Sequence, residues 1–506
     1  MRARPLIAAM TAALTATLTT TMTITGPTAR AAQPATAPTS DFDHDGYQDL
    51  VVGAPAATAN GQAEAGSVTV VHGAPGGITT TRAVVLNQES PNVPGVSEAG
   101  DAFGTAIATG DLNGDGYADL VVGQPGEDLD TITDAGSAIL LYGGATGFAT
   151  TAGIGLPVDA RGPGDRFAEA LSIGDFNGNG SNDLAALTAS GIVQPYYDGA
   201  TTATLAGAQN SGSGGTELRP GTRGRYRAIP RSTLNAASTT GTVTRSTAAD
   251  INGDGYTDLA ITYLGTDGRT SLVTIPGSTA GLDYDALTAI PGGGRALASG
   301  DLDHDGYADV IAGQPIASDN ATTTIGGAVT AYYGGPTGIT ATSRRTTITQ
   351  DTTGVPGTGA DGDDMGLSVA AGDVNNDGYD DVYTGIPHKD ITNTALRTDA
   401  GTALLLYGSS TGLTGTGSVL IHQDLGQVPG GAETGDEFGS AVALADTDND
   451  GHADTATGVE GENTGDGGIS HLLGAATMPP ATTGTAYLGS ALGLGTTSYA
   501  GRVLAP

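Results

Sequence analysis

Seven short segments concentrate the residues able to do chemistry. They carry acidic or amide side chains at fixed spacing: Asp41, Asp43, Asp45, Tyr47 and Asp49; Asp111, Asn113, Asp115, Tyr117 and Asp119; Asp175, Asn177, Asn179, Ser181 and Asp183; Asp250, Asn252, Asp254, Tyr256 and Asp258; Asp301, Asp303, Asp305, Tyr307 and Asp309; Asp373, Asn375, Asp377, Tyr379 and Asp381; Asp446, Asp448, Asp450, His452 and Asp454. We number each segment 1–9 from its first Asp. Oxygen-bearing side chains at positions 1, 3, 5 and 9, with the carbonyl of position 7, suit a hard cation such as calcium, which takes roughly six to eight oxygens. Position 6 is always Gly, the residue that permits a sharp turn. The distant Glu of an EF-hand is missing, because position 12 of the first loop is Val52. Each loop therefore joins two strands and is closed by its own position 9.

Asp-Gly segments also make plain β-turns. Seven copies with the same ligand spacing favour the cation loop, and up to seven calcium ions are expected. Asp occupies 4, 3, 2, 3, 4, 3 and 4 of the side-chain ligand positions in loops one to seven. Loop 3, with Asp175 and Asp183 beside Asn177 and Asn179, offers the least negative charge and is expected to be the weakest site. His44 and His304 stand at position 4, pointing away from an ion. His72, His388, His422 and His471 show no ligand spacing, so no zinc site is expected.

The loops recur at intervals of 51–75 residues, which marks a repeat architecture. Strand patterns surround each one. In the second unit, Phe103–Thr109 alternates apolar and small residues, Leu120–Gly123 is a short buried run, and Ser137–Tyr142 is a third strand ended by Gly143-Gly144. A weaker fourth strand follows, as at Thr347–Gln350. Four strands per unit point to propeller blades. The fold class expected is all-β, a seven-bladed propeller with the Asp loop between the first and second strands of each blade.

These units resemble FG-GAP repeats, the blades of the integrin α-subunit propeller and of related secreted bacterial proteins. Phe103-Gly104, Phe438-Gly439 and the variant Met365-Gly366 stand at the FG position. Gly53-Ala54-Pro55 is a literal GAP, with variants at Gly123–Pro125, Gly313–Pro315 and Gly385–Pro387. Phe167-Ala168 lacks the Gly, no FG pair precedes Asp250, and Arg295-Ala296 replaces the pair in the fifth blade. The resemblance implies a disc whose variable face, opposite the cation loops, meets ligands. Candidate groups there are Glu127-Asp128, His388–Asp390 and Glu460–Glu462, and the loops Val93–Asp101, Val355–Asp364 and Val428–Asp436, whose shared pattern reads first as structural. Leu488–Gly495 parallels Phe438–Ala445, and Tyr499–Pro506 parallels Tyr47–Pro55, so the C-terminal segment is expected to supply the strand that blade 1 lacks.

Composition narrows the function. Net charge is −35, from 54 Asp+Glu against 19 Lys+Arg, which argues against nucleic acid as a partner. With no Cys there are no disulfides, thiolate–metal sites or Cys nucleophile, and with no Trp there is no Trp-lined sugar platform. Arg2 and Arg4, an apolar stretch from Leu6 to Leu18 and the Ala29-Arg30-Ala31 cleavage pattern read as a signal peptide over 1–31, then a linker over 32–40 and the propeller over 41–506. A secreted monomer without membrane insertion is expected. No Gly-x-Ser-x-Gly elbow, phosphate loop or His-Glu-x-x-His is present. The reading is a calcium-binding adhesion or ligand-binding module for an extracellular protein or polysaccharide, without catalysis of its own. The alternatives are an extracellular hydrolase or lyase and a structural acidic surface protein. Arg219, Arg223, Arg225, Arg227, Arg231 and Arg245 break the acidic pattern. They read as an irregular outer strand solvated by its charges, or as a patch for an anionic polymer.

Overall fold

The computed structural model describes residues 40–148, 154–156, 162–197, 227–228, 241–265, 268–316, 319, 324–480, 482 and 484–506. The expected signal peptide over 1–31 and nearly all of the expected linker over 32–40 lie outside the described residues. So do Arg219, Arg223, Arg225 and Arg231, while Arg227 is described in its backbone only.

Seven four-stranded antiparallel sheets follow one another along the chain. Blade 2 is typical, with strands Ala106–Gly110, Asp119–Gln124, Ser137–Leu141 and Ile154–Gly155. Its first strand lies innermost, and the Asp loop joins it to the second. Topology places all seven Asp loops at one end of the blades, with the loops after the GAP position and the inter-blade connections at the other. Blade 6 inserts a two-stranded hairpin, Ile391–Thr392 with Leu396–Arg397, between its second and third strands.

Position within the blade explains composition. Second and third strands are covered on both faces by neighbouring blades, so Asp119–Gln124 and Thr402–Tyr407 are almost wholly buried, near-continuous apolar runs. First strands converge on the axis and are short and small-residue-rich, as in Ala106–Gly110 and Ala296–Gly300. Fourth strands face outward and are half exposed, as in Thr79–Leu86. The cores sit between blades: Val51, Val68 and Val70 of blade 1 pack with Phe103, Leu120, Val122 and Ile139 of blade 2.

Both recurrent glycines serve this seam. In the five blades with a glycine at the GAP position, the carbonyl of the second FG-position residue of the next blade lies against it. A Cβ on Gly385 would stand 1.9 Å from Gly439 O, and one on Gly313 would stand 2.0 Å from Gly366 O. Gly439 itself has φ +96°, a conformation that costs glycine nothing. Ala168 adopts φ 64° at the same place, so blade 3 keeps the geometry without the residue.

The ring closes through the C-terminus. Val503–Ala505 pairs with Leu50–Ala54 (Val51 with Ala505, Val52 with Leu504), completing blade 1 as its innermost strand. The register differs from the expected parallel. Ala500-Gly501, not Leu488-Gly489, takes the FG place: Gly467 bridges Ala500 as Gly401 bridges Phe438. Leu488 instead ends the fourth strand of blade 7, Thr485–Leu488. The small Ala500 is fully buried where blades 2, 3, 6 and 7 bury Phe or Met, and Leu492 and Leu494 fill the seam between blades 7 and 1.

Gly385→Ala should therefore cost at least the ~1–3 kcal/mol typical of overpacking, since the clash is with backbone. Urea denaturation checks this; an unchanged midpoint would contradict the seam geometry.

Candidate metal sites and the channel mouth

Every Asp loop is built by its own side chains. In all seven, one position-1 carboxylate oxygen accepts the N–H of position 5 and the other accepts the N–H of the position-6 glycine; for Asp41 the distances are 3.0 and 2.9 Å. The position-7 N–H donates to the position-5 side chain throughout. Position 9 is a buried rivet. Asp119 Oδ2 accepts from Leu112 N at 2.9 Å and its Oδ1 from Gly143 N at 3.0 Å, tying the loop to the end of the third strand. The position-2 contact recurs in all seven blades. Burial pushes Asp119 up to about 8, and Asp258, Asp309 and Asp381 up to about 7, against the pull of their backbone donors.

Neighbouring loops are hydrogen-bonded into a ring. Ala118 N donates to Asp41 O, Thr257 N to Asp175 O, Ala308 N to Asp250 O, Asp380 N to Asp301 O and Ala453 N to Asp373 O. Asn182 Nδ2 reaches Asp111 O at 3.1 Å. Gln48 N to Asp446 O, 3.2 Å, joins the first blade to the last.

Position 3 divides the loops into two kinds. Where it is Asn, its amide oxygen accepts the position-5 N–H, at 2.8 Å for Asn113 and 3.1 Å for Asn177. In loop 3, Asn177 also donates to both oxygens of Asp183, at 3.1 and 2.9 Å. Where position 3 is Asp, one buried oxygen has no hydrogen-bond partner: Asp43 Oδ1, Asp303 Oδ1 and Asp448 Oδ1. In these three loops the carboxylates also converge. Ligand oxygens of Asp41, Asp43 and Asp45, of Asp301, Asp303 and Asp309, and of Asp446, Asp448 and Asp450 each lie within 4.8 Å of one another. Buried carboxylate oxygens without a donor are costly, and a hard cation fits all three sets.

The structure adds residues that sequence spacing did not reveal. Arg82 reaches Asp43 Oδ2 at 2.5 Å and Asp45 Oδ2 at 2.9 Å, and Arg344 pairs with Asp303. His72, expected to stand apart, lies against Asp49 and Asp43. His44, expected only to point away from an ion, is exposed, with its Nδ1 2.6 Å from Gly116 O and its ring against Tyr117. His304 meets Tyr379 similarly. The Arg82, Arg344 and His72 contacts cross between strands of one blade, and those of His44 and His304 cross between blades, so no local motif announces them.

At the other end, charged side chains ring the mouth of the axial channel. Glu64, Arg245, Arg295, His388, Glu437, Glu460 and Arg502 line a cavity of about 650 Å3. Arg245 belongs to the innermost strand Gly241–Ala249, not to an outer strand as expected. The residue is exposed as a whole, yet protein surrounds its charged group; desolvation lowers its pKa and Glu169 opposes that. Several groups expected on the variable face act as braces. Glu127 accepts from Gln88 at 2.9 Å, and Glu462 accepts from Gln423 at 2.8 Å, each across a blade boundary. Lys389 bonds Asp363 at 2.8 Å, and His388 bonds Asp364 at 2.9 Å, which raises the His388 pKa. In the connections before the first strands, Asp101 and Asp436 each accept a backbone N–H three residues back, at 2.6 Å. Asp363, rather than the expected Asp364, is their counterpart, accepting from Ala360 N at 2.8 Å.

Burial pushes Asp101 and Asp436 up to about 6. Their folded pKa lies above the unfolded value of 3.8, so the stability they contribute is present below pH 3.8 and lost as pH rises through about 6. The double variant Asp101→Asn/Asp436→Asn should flatten that decline in urea midpoints measured with calcium present. An unchanged slope would contradict the assignment.

Comparison with known proteins places this architecture. The FG-GAP repeat family matches residues 34–71, 103–141, 293–332 and 365–406, and an FG-GAP-like repeat matches 250–312. Similar curated proteins include integrin alpha-5 of Xenopus laevis (38% identical over 97 residues, 19% of this chain and 9% of the integrin) and integrin alpha-PS2 of Drosophila melanogaster (32% over 157 residues, 29% and 10%). Phosphatidylinositol-glycan-specific phospholipase D of Rattus norvegicus is 30% identical over 146 residues, 29% of this chain and 17% of the enzyme. The chain thus spans a fifth or less of the length of each of these relatives. The phospholipase D matches overturn the expectation of a chain without an enzymatic role, and their partial coverage transfers no activity by itself. Among the described residues no helix is long and apolar enough to cross a membrane. The chain carries FG-GAP repeats homologous to those of integrin α subunits and folds as a seven-bladed β-propeller.

Proposed function

We propose that the protein is a secreted, calcium-binding propeller whose channel-mouth face recognises an extracellular protein or polysaccharide. The observation that carries the calcium reading is the orphaned buried oxygen of Asp43, Asp303 and Asp448, each beside further converging carboxylates. The ligands proposed are the side chains of positions 1, 3, 5 and 9 and the carbonyl of position 7 in the seven loops. The loops with Asp at position 3 are the tightest sites, and loop 3, closed on itself by Asn177, is the weakest. Calcium supplies positive charge at the outer end of the blades, where seven acidic loops otherwise repel. The opposite face is left free to bind, with both signs of charge around the channel mouth.

A second reading rests on the phospholipase D relatives. On it, the propeller recognises a phosphatidylinositol-linked glycan in the service of phosphodiester hydrolysis. One array separates the two: the purified protein passed over glycans, wall polymers, matrix proteins and phosphatidylinositol-glycan lipids, in calcium and in chelator, with product release followed on the lipid. Saturable, chelator-sensitive binding to a protein or polysaccharide supports the first reading. Binding and turnover of the lipid supports the second.

Calcium at 100 times its dissociation constant should stabilise the fold by about 2.7 kcal/mol per site, read as a raised melting temperature relative to chelator. Asp448→Asn should lower the calorimetric stoichiometry by one tight site. An Asp448→Asn protein with unchanged calcium binding would contradict the ligand assignment.

A further inference from the structure

Strand register gives blade 1 a buried imidazole with an unbonded nitrogen at its Asp loop; loop 7 also has imidazoles, but His471 Nε2 is engaged by Thr447 Oγ1 at 3.0 Å and His452 stands against the exposed Asp450. Val71 pairs with Leu50, the residue after Asp49, and His72 follows it. The same slot is Tyr142, Tyr197, Tyr333 and Tyr407 in blades 2, 3, 5 and 6, Pro276 in blade 4 and Leu473 in blade 7. The His72 side chain is 3% exposed, and its Nδ1 stands 3.2 Å from Asp49 Oδ2 and 3.7 Å from Asp43 Oδ2. Despite these distances Nδ1 has no aligned hydrogen bond, and neither does the buried Asp43 Oδ1. Ligand atoms of Asp43, Asp49 and His72 lie within 4.8 Å of one another, and all three side chains are at least nine-tenths buried.

We propose that loop 1 is a zinc-class transition-metal site, in which His72 Nδ1, Asp43 and Asp49 take a borderline divalent ion that the other six loops do not select. Calcium prefers an all-oxygen shell, whereas zinc binds imidazole nitrogen at about 2.0–2.1 Å and carboxylate oxygen at about 2.0–2.2 Å. Ligands at those lengths stand roughly 3–4 Å apart, which the 3.2 Å between His72 Nδ1 and Asp49 Oδ2 satisfies. Arg82 holds Asp43 Oδ2 and Asp45 Oδ2 from the solvent side, leaving Asp43 Oδ1 as the inner donor. Asp49 Oδ2 accepts only the Phe42 N–H, at 3.0 Å, and keeps a lone pair. Asp43 is shared with the Asp41–Asp43–Asp45 oxygen set. A single ion therefore occupies loop 1: calcium where no zinc is present, and zinc, favoured by the imidazole, in its place where it is.

The proposal rests on the reading of the loops as cation sites, and the test separates the two. The full chain, saturated with calcium, is titrated with zinc chloride by calorimetry, and crystals are measured at the zinc absorption edge. One zinc per chain is expected, with its anomalous peak at bonding distance from His72 Nδ1. His72→Tyr, which restores the residue of four other blades, should weaken zinc by more than about 100-fold, since even outer-shell changes cost 10–100-fold. Calcium heats at the other loops should be unchanged, and His72→Gln should repeat the loss of zinc. A zinc peak elsewhere, no stoichiometric zinc, or wild-type zinc affinity in both variants would overturn the proposal. Zinc held at His72 without calcium uptake by any loop would overturn the calcium reading and leave this one standing.

Discussion

Each blade buries a carboxylate at the end of its Asp loop, and the ring depends on how that charge is held. Position 9 accepts the position-2 N–H in every blade and a glycine N–H from the end of the third strand in six, so one side chain fixes loop, second strand and third strand together. Two backbone donors do not fully offset the desolvation of an ion. Nearby positive charge answers the remainder, and the loops obtain it differently. Arg82 and Arg344 bring it to loops 1 and 5, while the orphan oxygens of Asp43, Asp303 and Asp448 mark where a metal ion fits.

The two ends of the disc follow from this division. At the loop end, backbone hydrogen bonds run from blade to blade, including the closing pair from Gln48 to Asp446. Deeper in the seam, glycine carbonyls pack against glycine Cα atoms with no room for a side chain. Such a ring is stiff where it is riveted and tolerant of variation at the opposite end. That opposite end carries the channel mouth and the longer loops, which is where recognition can vary without disturbing the fold.

Much of this was legible in the sequence. The loop period, the FG and GAP pairs and the apolar second and third strands placed seven blades, because local turn chemistry and burial on both faces leave strong marks. Closure was legible in kind but not in register: Leu488-Gly489 and Ala500-Gly501 both imitate the motif, and only packing shows that the small Ala500 fits the buried slot. The loop residues were readable from spacing, yet the difference between Asn113, which caps its own loop, and Asp43, which leaves a bare oxygen, is one of three-dimensional hydrogen bonding. His72, Arg82, Arg344 and Arg245 were invisible for a simpler reason. Each acts across strands or blades, 23 or more positions from its partner, and no sequence period links such residues.

We propose that the loops with Asp at position 3 are built around a cation. A crystal structure at high resolution, grown in calcium, tests it most directly. Ions are expected in loops 5 and 7, each at about 2.3–2.6 Å from the position-3 Oδ1 that otherwise has no partner. Well-ordered loops with no ion there, and Asp303 Oδ1 and Asp448 Oδ1 satisfied by water alone, would contradict it.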